Sequence, residues 1–483
     1  MPTTRLPDAP ATPRPTGQDR PGRLRADRVL LVPALIMLII GAWALGTPSY
    51  WRDEAATLDA EARSVPALLR MLTNVDAVHG AYYLLMWPVV HTFGTSEIVL
   101  RLPSLLAMAA AAAGVAALGR RLHSPRAGLF AGLVFAVLPQ VSRYGQEARS
   151  YAFVLACAVL ASYLLVRAVD EPGRRWLPGY GAAVAVLGLL NLFGLLLLAG
   201  HAVFMLACHR DLLRRWLTVA ALACLPALPV VVLAWQQRDQ LGWLTEPGAT
   251  APGDLTIWLA GSTGSVVLVS VLIGLGLRSR TGASAAWLAL PWLIAPPVLL
   301  LTAAEVAIPV YVDRYLTYCL PALALPVGVG LAGIALAPRV LAVLLIAGLG
   351  LPAQLAQRQV GGHGDDIRVA ADIIAAREHS GDGVLYDCPT CHYPDMPREF
   401  AYGYPAAFGP LDDLALGQSP GASGTLRGTE TDQATLIHRL DGAGRVWLVE
   451  TGGTSVPVPL ADSDLHLITV YPAGNITVAL YGR

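Results

Sequence analysis

Lysine is absent from the sequence, and charged residues of either sign are scarce. All 34 basic residues are arginines, 34 residues are acidic, and charged residues occupy 14% of the 483 positions against 55% that are hydrophobic. A water-soluble chain of this length could hardly cover its surface with so few charges, which excludes an ordinary soluble enzyme. The formal net charge of zero leaves no basic excess that would indicate nucleic acid as a partner.

Apolar runs dominate the chain between residues 29 and 356. A helix needs about 20 residues to cross the hydrocarbon core of a membrane, and several of these runs are somewhat shorter. We divide the stretch 178–208 into two short spans that turn near Asn191. The sequence predicts a polytopic α-helical membrane protein with about eleven spans. The runs are 29–47, 98–118, 127–141, 151–169, 178–191, 192–208, 217–235, 255–277, 285–303, 316–336 and 340–356.

The regions on either side of these runs have a different composition. Residues 1–28 are rich in Pro, Arg, Thr and Asp and have few large apolar side chains, which predicts a disordered tail. Residues 357–483 carry 16 acidic residues and 8 arginines. A helical pattern over 367–378 and short alternating runs predict a small soluble α/β domain. The alternating runs are 383–386, 445–449, 465–470 and 476–480.

Arginine placement tests this threading independently, because short cytoplasmic loops retain arginine. With the N-terminus inside, the cytoplasmic segments hold 18 arginines and 6 acidic residues, so the acidic excess lies outside. An odd number of spans then exports residues 357–483. We therefore expect a multi-pass protein of the cell membrane with a cytoplasmic N-terminus and an extracytoplasmic C-terminal domain.

The segment 47–97 becomes a long first outer loop in this topology. Residues 81–93 are apolar but too short to cross, which predicts a juxtamembrane or re-entrant helix on the outer side. Leu58, Leu68 and Leu72 belong to an apolar face that makes the loop partly amphipathic.

Asp53 and Glu54 follow the first span by a few residues. Two adjacent carboxylates beside an arginine can deprotonate a hydroxyl, hold a cation, or simply occupy the first turn of a helix, where acidic residues are favoured. Together with Glu147 they could share a divalent cation, although no spacing demands one and we predict no certain cofactor.

Other polar residues lie in outer loops between the spans. In the loop 142–151, Arg143 and Arg149 could clamp a phosphate with Glu147 orienting one of them, or the loop could be held by salt bridges alone. Arg314 is either a phosphate ligand or an interfacial anchor. A lone histidine such as His79 is more often a hydrogen-bonded structural residue than a ligand.

Cys388 and Cys391 form a Cys-Pro-Thr-Cys sequence in the predicted outer domain. An extracytoplasmic position favours a disulfide, and no second pair at zinc spacing exists in the sequence, although His392 is adjacent. The local sequence does not indicate the helix that a redox motif would need. We interpret the pair as a structural disulfide.

An ordered series of motifs resembles the membrane-embedded glycosyltransferases of the GT-C superfamily. The specific similarity is to the bacterial family 39 type, which is related to protein O-mannosyltransferases and aminoarabinose transferases. The family usually has Pro-Pro after the histidine, where this chain has Gly80-Ala81. The series is Asp53-Glu54, His79-Gly80-Ala81-Tyr82-Tyr83-Leu84-Leu85, Gly94-Thr95-Ser96-Glu97, Arg101-Leu102-Pro103-Ser104, Gln146-Glu147-Ala148-Arg149-Ser150-Tyr151 and Arg314-Tyr315.

The resemblance implies an inverting glycosyltransferase that uses a polyprenyl-phosphate sugar and acts on the outer face of the membrane. It implies that Asp53 is the general base, that Glu54 helps to position acceptor or base, and that Arg149 and Arg314, with Arg143, bind the donor phosphate. Further substrate contacts are expected from seven residues. They are His79, Tyr83, Tyr144, Gln146, Glu147, Tyr151 and Tyr315.

The transferred group is expected to be a hexosyl or pentosyl unit, mannosyl or arabinosyl in type, and the acceptor an envelope glycan, a glycolipid or a protein. A transporter or flippase of lipid-linked sugars is the alternative function. It is less favoured because the polar candidates cluster on one face, whereas alternating access needs a site near the middle of the membrane.

Overall fold

The computed structural model describes residues 21–171, 175–279, 282–393, 395–453 and 456–483. Helices account for the part of the chain before residue 357. They are α1 (Pro21–Ala42), α2 (Arg52–Glu61), α3 (Val65–Asn74), α4 (Gly80–Phe93), α5 (Glu97–Leu122), α6 (Pro125–Val137), α7 (Pro139–Gly145), α8 (Tyr151–Asp170), α9 (Trp176–Leu190), α10 (Leu197–Cys208), α11 (Leu213–Cys224), α12 (Leu228–Gln236), α13 (Ala251–Ala260), α14 (Thr263–Leu277), α15 (Ala283–Val306), α16 (Leu320–Ala332) and α17 (Leu336–Ala356).

Within the described residues, six helical segments are long and apolar enough to cross a membrane, and two bent pairs raise the number to eight. The bend is 67° between α6 and α7 and 79° between α13 and α14. Three shorter apolar helical segments, at 28–42, 176–190 and 192–208, complete the set. The eleven predicted runs fall on these segments, which confirms the polytopic helical architecture. The number that actually cross stays a prediction.

Two boundaries can be compared with the sequence prediction. The turn expected near Asn191 is present, because α9 ends at Leu190 and the Asn191 side chain accepts a hydrogen bond from the Phe193 amide before α10 begins. Helix α1 starts at Pro21, earlier than the expected Val29, so the end of the predicted disordered tail is helical. Proline is well tolerated in a first helical turn. Residues 1–20 of that tail lie outside the described residues.

The interior of the bundle is packed through small residues. Helix α16 is buried from Leu320 to Leu331 and lies against α6. A Cβ atom at Gly328 would lie 2.7 Å from the backbone nitrogen of Ala131, so a larger residue would force the two helices apart. Small residues commonly allow such close approach in membrane bundles.

The first outer loop forms α2, α3 and α4, with a short 3-10 turn over Ala77–His79 before α4. The fourteen residues of α4 span about 21 Å at 1.5 Å per residue, which is shorter than the hydrocarbon core. Helix α3 buries Leu68, Met71 and Leu72 and exposes Leu69, as an amphipathic segment should.

The C-terminal part is the expected small α/β domain. Its five-stranded sheet has the order β2-β1-β3-β5-β4, in which β1 is parallel to β2 and β3 and the remaining pairs are antiparallel. The strands are β1 (Gly383–Asp387), β2 (Asp412–Asp413), β3 (Arg445–Thr451), β4 (His466–Ala473) and β5 (Ile476–Gly482). The helices are α18 (Ile367–Ala375), α19 (Phe400–Gly403), α20 (Pro405–Phe408), α21 (Pro420–Ser423), α22 (Gln433–Gly442) and α23 (Val458–Ala461).

This domain is bonded to the segments around α2. Arg368 pairs with Glu97 at 2.7 Å and also donates to the backbone oxygens of the segment after α1. The Tyr404 hydroxyl donates to the same Glu97 carboxylate at 2.9 Å. At the other end of α2, Arg63 donates to the Thr425 carbonyl at 2.7 Å. The C-terminal domain therefore holds both ends of the helix that carries Asp53.

Candidate active site

Asp53 lies in the first turn of α2 among polar side chains of the first outer loop and the bundle, a partly exposed region that we call the cleft. Its side chain is 22% exposed, and its Oδ2 lies 3.9 Å from Nη2 of Arg314. Burial alone would raise the pKa of Asp53, but the positive charges of Arg149, Arg314 and Arg52 outweigh it, so the pKa is lower than usual. Asp53 is therefore an ionised carboxylate that remains partly accessible.

Arg149 is held from several sides beside Asp53. Its Nη1 donates to the Asp53 carbonyl at 3.2 Å and lies 3.3 Å from both the Thr57 and Tyr83 hydroxyls. Its Nη2 donates to Nε2 of His79 at 2.7 Å. Burial, together with Arg149, lowers the pKa of His79 to about 4, so this imidazole is neutral at pH 7 and accepts the hydrogen bond.

Arg314 approaches Asp53 from the segment before α16. Its Nε donates to the Tyr151 hydroxyl at 3.1 Å. The guanidinium also lies over aromatic rings, 5.8 Å from the Trp51 centroid, 5.6 Å from Trp243 and 5.9 Å from Tyr315. Such contacts fix the direction of the positive charge while leaving it partly exposed.

The aromatic residues predicted as substrate contacts surround these arginines. Tyr144 packs edge-on against Tyr151 at 5.2 Å, and Tyr315 stacks on Phe193 at 5.1 Å. Tyr83 donates to the Asp76 carboxylate. The structure thus brings Asp53, His79, Tyr83, Arg149, Tyr151, Arg314 and Tyr315 into one region. Whether any of them contacts substrate stays a prediction.

Glu54 is paired with Arg101 in the interior, and its predicted role in positioning acceptor or base stays a prediction. It has no exposed surface and forms a double hydrogen bond with Arg101, at 2.9 Å from Nε and 2.7 Å from Nη2. It also accepts from the Ala148 amide at 2.9 Å. Adjacent helical residues point about 100° apart, so Asp53 can face the cleft only if Glu54 faces the core.

Gln146 is likewise placed in the interior instead of the predicted substrate site. Its side chain is fully buried, and Nε2 donates to the carbonyls of Gly41 and Trp43 at 2.8 Å each. These bonds join the turn after α7 to the end of α1. The residue is a structural link between two helices, because its amide donor is already satisfied by backbone oxygens.

Arg143 and Glu147 form a salt bridge at 2.6 Å within the loop 142–151. Glu147 is almost fully buried, and burial raises its pKa to about 7 against the opposing effect of Arg143. Arg143 is 14% exposed and lies 5.8 Å from the Trp51 ring. Its guanidinium is therefore committed to Glu147, in agreement with the interpretation of this loop as salt-bridged.

The sequence suggested that Asp53, Glu54 and Glu147 could share a divalent cation, and the salt bridges of these residues can be compared with that suggestion. Glu54 and Glu147 are each bonded to an arginine, and only Asp53 is directed into the cleft. Within the described residues, no group of three His, Cys, Asp or Glu side chains is arranged to hold a metal ion. Glu54 and Glu147 are thus already paired with arginines, and whether Asp53 binds a cation stays a prediction.

The sequence prediction missed Glu61, which follows Asp53 and Thr57 at a spacing of four and lies on the same face of α2. Its carboxylate is fully buried and has no hydrogen-bond partner among the described residues. Burial raises the pKa of Glu61 to about 9. The spacing of four residues between positions 53, 57 and 61 was the signal in the sequence that places Glu61 on the helix face of Asp53. Trp243, in contrast, lies in a loop without any periodic pattern.

The cysteines of the C-terminal domain are joined as predicted in a Cys388–Cys391 disulfide, with the two Cα atoms 5.3 Å apart. The pair follows the end of β1. The remaining four cysteines are free thiols in the helical part of the chain.

Comparison with known proteins shows one partial family match and several structures of similar fold. Residues 81–235 match the family described as dolichyl-phosphate-mannose-protein mannosyltransferase. No curated protein sequence matches significantly. The structure of ArnT from Cupriavidus metallidurans in the apo state is similar with a TM-score of 0.62 at 14% identity, covering 94% of this chain and 98% of that one.

Two further solved structures show similarity. ArnT from the same organism bound to undecaprenyl phosphate gives a TM-score of 0.62 at 13% identity over 93% of this chain and 97% of that one. The Archaeoglobus fulgidus oligosaccharyltransferase gives 0.46 at 15% identity over 87% and 67%. The two ArnT structures, with a TM-score of 0.62 over nearly the whole chain, show that the chain has the fold of ArnT.

Proposed function

We propose that the protein transfers a glycosyl group from a polyprenyl-phosphate carrier to an acceptor hydroxyl, with inversion at the anomeric carbon. The observation that carries this proposal is the ionised, partly exposed Asp53 carboxylate facing Arg314 and flanked by Arg149. The ArnT fold supports it, since one ArnT structure binds undecaprenyl phosphate.

The chemistry needs a base for the acceptor and positive charge for the leaving group. Asp53 takes the proton of the acceptor hydroxyl while the acceptor oxygen bonds to the anomeric carbon. The bond from that carbon to the phosphate oxygen breaks, and its electron pair remains on the polyprenyl phosphate. Arg314 and Arg149 stabilise that growing negative charge.

The surrounding contacts suit these roles. Arg149 is 95% buried and is fixed by three polar neighbours, so it does not need to reorganise when charge develops. Arg314 is more exposed and is oriented by aromatic faces, which suits a group that meets an incoming lipid phosphate. Arg143 is salt-bridged to Glu147, so we assign it no direct contact with the donor phosphate.

The charged groups favour transfer over transport of lipid-linked sugars. Asp53, Arg149 and Arg314 lie at one end of the bundle, near the C-terminal domain, whereas alternating access would require a site close to the membrane midplane. In the predicted topology this end of the bundle is extracytoplasmic. The donor, the acceptor and the product would then all lie outside the cytoplasm. The acceptor would be an envelope glycan, a glycolipid or a protein.

The family match to mannosyltransferases makes a mannosyl unit the first donor to test, followed by an arabinosyl unit. Purified protein is given radiolabelled polyprenyl-phosphate sugar and membranes as acceptor source, and both released polyprenyl phosphate and labelled acceptor are measured. We expect wild type to release polyprenyl phosphate and transfer the label with one of these donors. Absence of release with both donors and acceptors present contradicts the proposal.

A further inference from the structure

The disulfide of the C-terminal domain closes a short loop, Cys388–Tyr393, which we call the disulfide loop. The Cys391 amide donates to the Cys388 carbonyl at 3.0 Å, and the Thr390 hydroxyl donates to the Gly452 carbonyl at 3.1 Å. At its end, the Tyr393 ring lies 4.3 Å below the guanidinium of Arg427. The loop is thus anchored to its own domain on both sides.

A second segment, residues 237–244, follows α12 and lies beside the active site; we call it the cover segment. The Gln237 side-chain oxygen accepts from the Ala77 amide at 3.0 Å, and the Gln240 side-chain oxygen accepts from the Asp76 amide at 3.3 Å. Asp76 is bonded to Tyr83, which in turn contacts Arg149. The cover segment is therefore attached to the outer loop that surrounds Arg149.

The disulfide loop and the cover segment meet at His392 and Gly242. A Cβ atom on Gly242 would lie 2.8 Å from both ring nitrogens of His392, closer than real side-chain atoms approach. The backbone of Gly242 is ordinary, with φ −60° and ψ −14°, so alanine causes no backbone strain there but must displace the His392 imidazole. The imidazole rests directly on the glycine backbone.

The next residue of the cover segment reaches the active site. The Trp243 ring centroid lies 5.6 Å from the Arg314 guanidinium, while 46% of the Trp243 side-chain surface stays exposed. Arg314 is also the side chain 3.9 Å from Asp53. Contacts therefore run without a gap from the disulfide, through His392, Gly242 and Trp243, to Arg314.

We propose that the disulfide loop of the C-terminal domain positions Arg314 for the donor phosphate by holding Gly242 and Trp243 of the cover segment in place. The proposal rests on the function proposed above. It assigns positioning roles to Trp243, Gly242 and the disulfide. Trp243 lies against Arg314, and Gly242 and the disulfide support Trp243. None of the three needs to contact substrate.

The proposal depends on the conformational freedom of the Arg314 and Trp243 side chains. Arginine has many rotamers, and an aromatic face on one side of the guanidinium removes some of them before the phosphate arrives. Trp243 lies in an exposed segment with little packing of its own, so its position depends on what supports its neighbours. A disulfide restricts the conformations of the short loop that provides this support.

The test measures donor KM and kcat for polyprenyl-phosphate sugar in five variants of the full chain and one control. In Trp243→Leu, Gly242→Ala and the double variant Cys388→Ser/Cys391→Ser, we expect donor KM to rise about fivefold with a smaller change in kcat. Trp243→Phe keeps an aromatic face and should stay close to wild type. The combined Gly242→Ala/Trp243→Leu variant should be no worse than either change alone, because both act through one contact.

Trp176→Leu is the matched control, since Arg167 lies 4.0 Å from its ring in the same kind of contact, outside the cover segment and at the other end of α8 from Tyr151. It should leave donor KM unchanged. Gly242 and Trp243 are on the surface, and a thermal unfolding curve like that of wild type verifies folding. Wild-type KM in Trp243→Leu, or multiplying effects of Gly242→Ala and Trp243→Leu, overturns the proposal. Absence of turnover in wild type would instead reject the proposed function.

Discussion

The carboxylate of Asp53 lies 3.9 Å from the guanidinium of Arg314, although 261 positions separate the two residues in the sequence. One belongs to the first turn of a short helix after the first span, and the other precedes a late, buried helix. Their proximity puts an ionised carboxylate and an accessible positive charge in one cleft. A glycosyl transfer from a lipid phosphate requires that combination.

Replacing Arg314 by glutamine should lower kcat about 100-fold, because a charged donor aimed at the leaving phosphate is lost. Arg314→Lys should recover only part of the rate, since a lysine lacks the planar guanidinium that lies over the aromatic rings. Steady-state release of polyprenyl phosphate measures both. Full activity in Arg314→Gln contradicts the role given to this residue.

Glu54→Gln should destabilise the protein and not merely slow it. The substitution leaves Arg101 buried without a counter-charge, which typically costs about 3–5 kcal/mol. A clear drop in the thermal unfolding midpoint of the purified protein in detergent is expected. Asp53→Asn, one residue away and partly exposed, is the comparison variant and should lower the midpoint less than Glu54→Gln, because no fully buried ion pair is broken. A wild-type midpoint for Glu54→Gln would show that the buried pair is not structural.

The free energy of unfolding should fall as the pH rises, because of the Glu61 carboxyl. The pKa of this carboxyl is about 9 in the folded protein, because of burial, but near its usual value in the unfolded chain. Between those values the unfolded chain has released the proton and the folded protein retains it, so stability falls with pH by about 1.4 kcal/mol per unit. Glu61→Gln removes this dependence.

The comparison of unfolding midpoints at pH 5 and pH 9 tests this point. Wild type should lose more stability over the range than Glu61→Gln does. Equal losses in the two proteins would indicate that the Glu61 carboxyl has a partner in solution that keeps its pKa near normal.

Turnover should survive the removal of divalent cations. The carboxylates of Glu54 and Glu147 are bonded to Arg101 and Arg143, which leaves Asp53 without a second acidic ligand in the cleft. Excess chelator should therefore change the initial rate of polyprenyl phosphate release by less than about twofold. A loss restored by magnesium or manganese would show that a cation binds with ligands other than these three carboxylates.

The orientation of the termini can be tested directly. The arginine distribution predicts a cytoplasmic N-terminus and an external C-terminal domain. A reporter that is active only outside the cytoplasm, fused after Arg483, should be active, and the same reporter fused before Met1 should not. The reverse pattern would place the proposed site in the cytoplasm.

Much of the fold could be predicted because hydropathy is a strong local signal. The apolar runs, the turn at Asn191 and the alternating strands after residue 383 all follow from neighbouring residues in the sequence. The start of α1 was predicted wrongly, because residues 21–28 have no apolar pattern and begin with Pro21 and Gly22, which have the lowest helix propensities.

The site was harder to predict because it depends on side-chain direction. Asp53 and Glu54 are adjacent acidic residues that the sequence does not distinguish. Only the packing of α2 decides that Asp53 faces the cleft and that Glu54 pairs with Arg101. Gln146 and Arg149 are separated by a tight turn that sends them to opposite sides. The contact of His392 with Gly242 joins two loops that no pattern relates.

The most direct test of the account compares single-turnover release of polyprenyl phosphate by wild type, Asp53→Asn and Glu305→Gln, the last being an exposed carboxylate in the segment before Arg314. The account predicts that Asp53→Asn still folds but loses about 100-fold or more of the rate, and that Glu305→Gln keeps the wild-type rate. Undiminished release by a folded Asp53→Asn protein would contradict the assignment of Asp53 as the base.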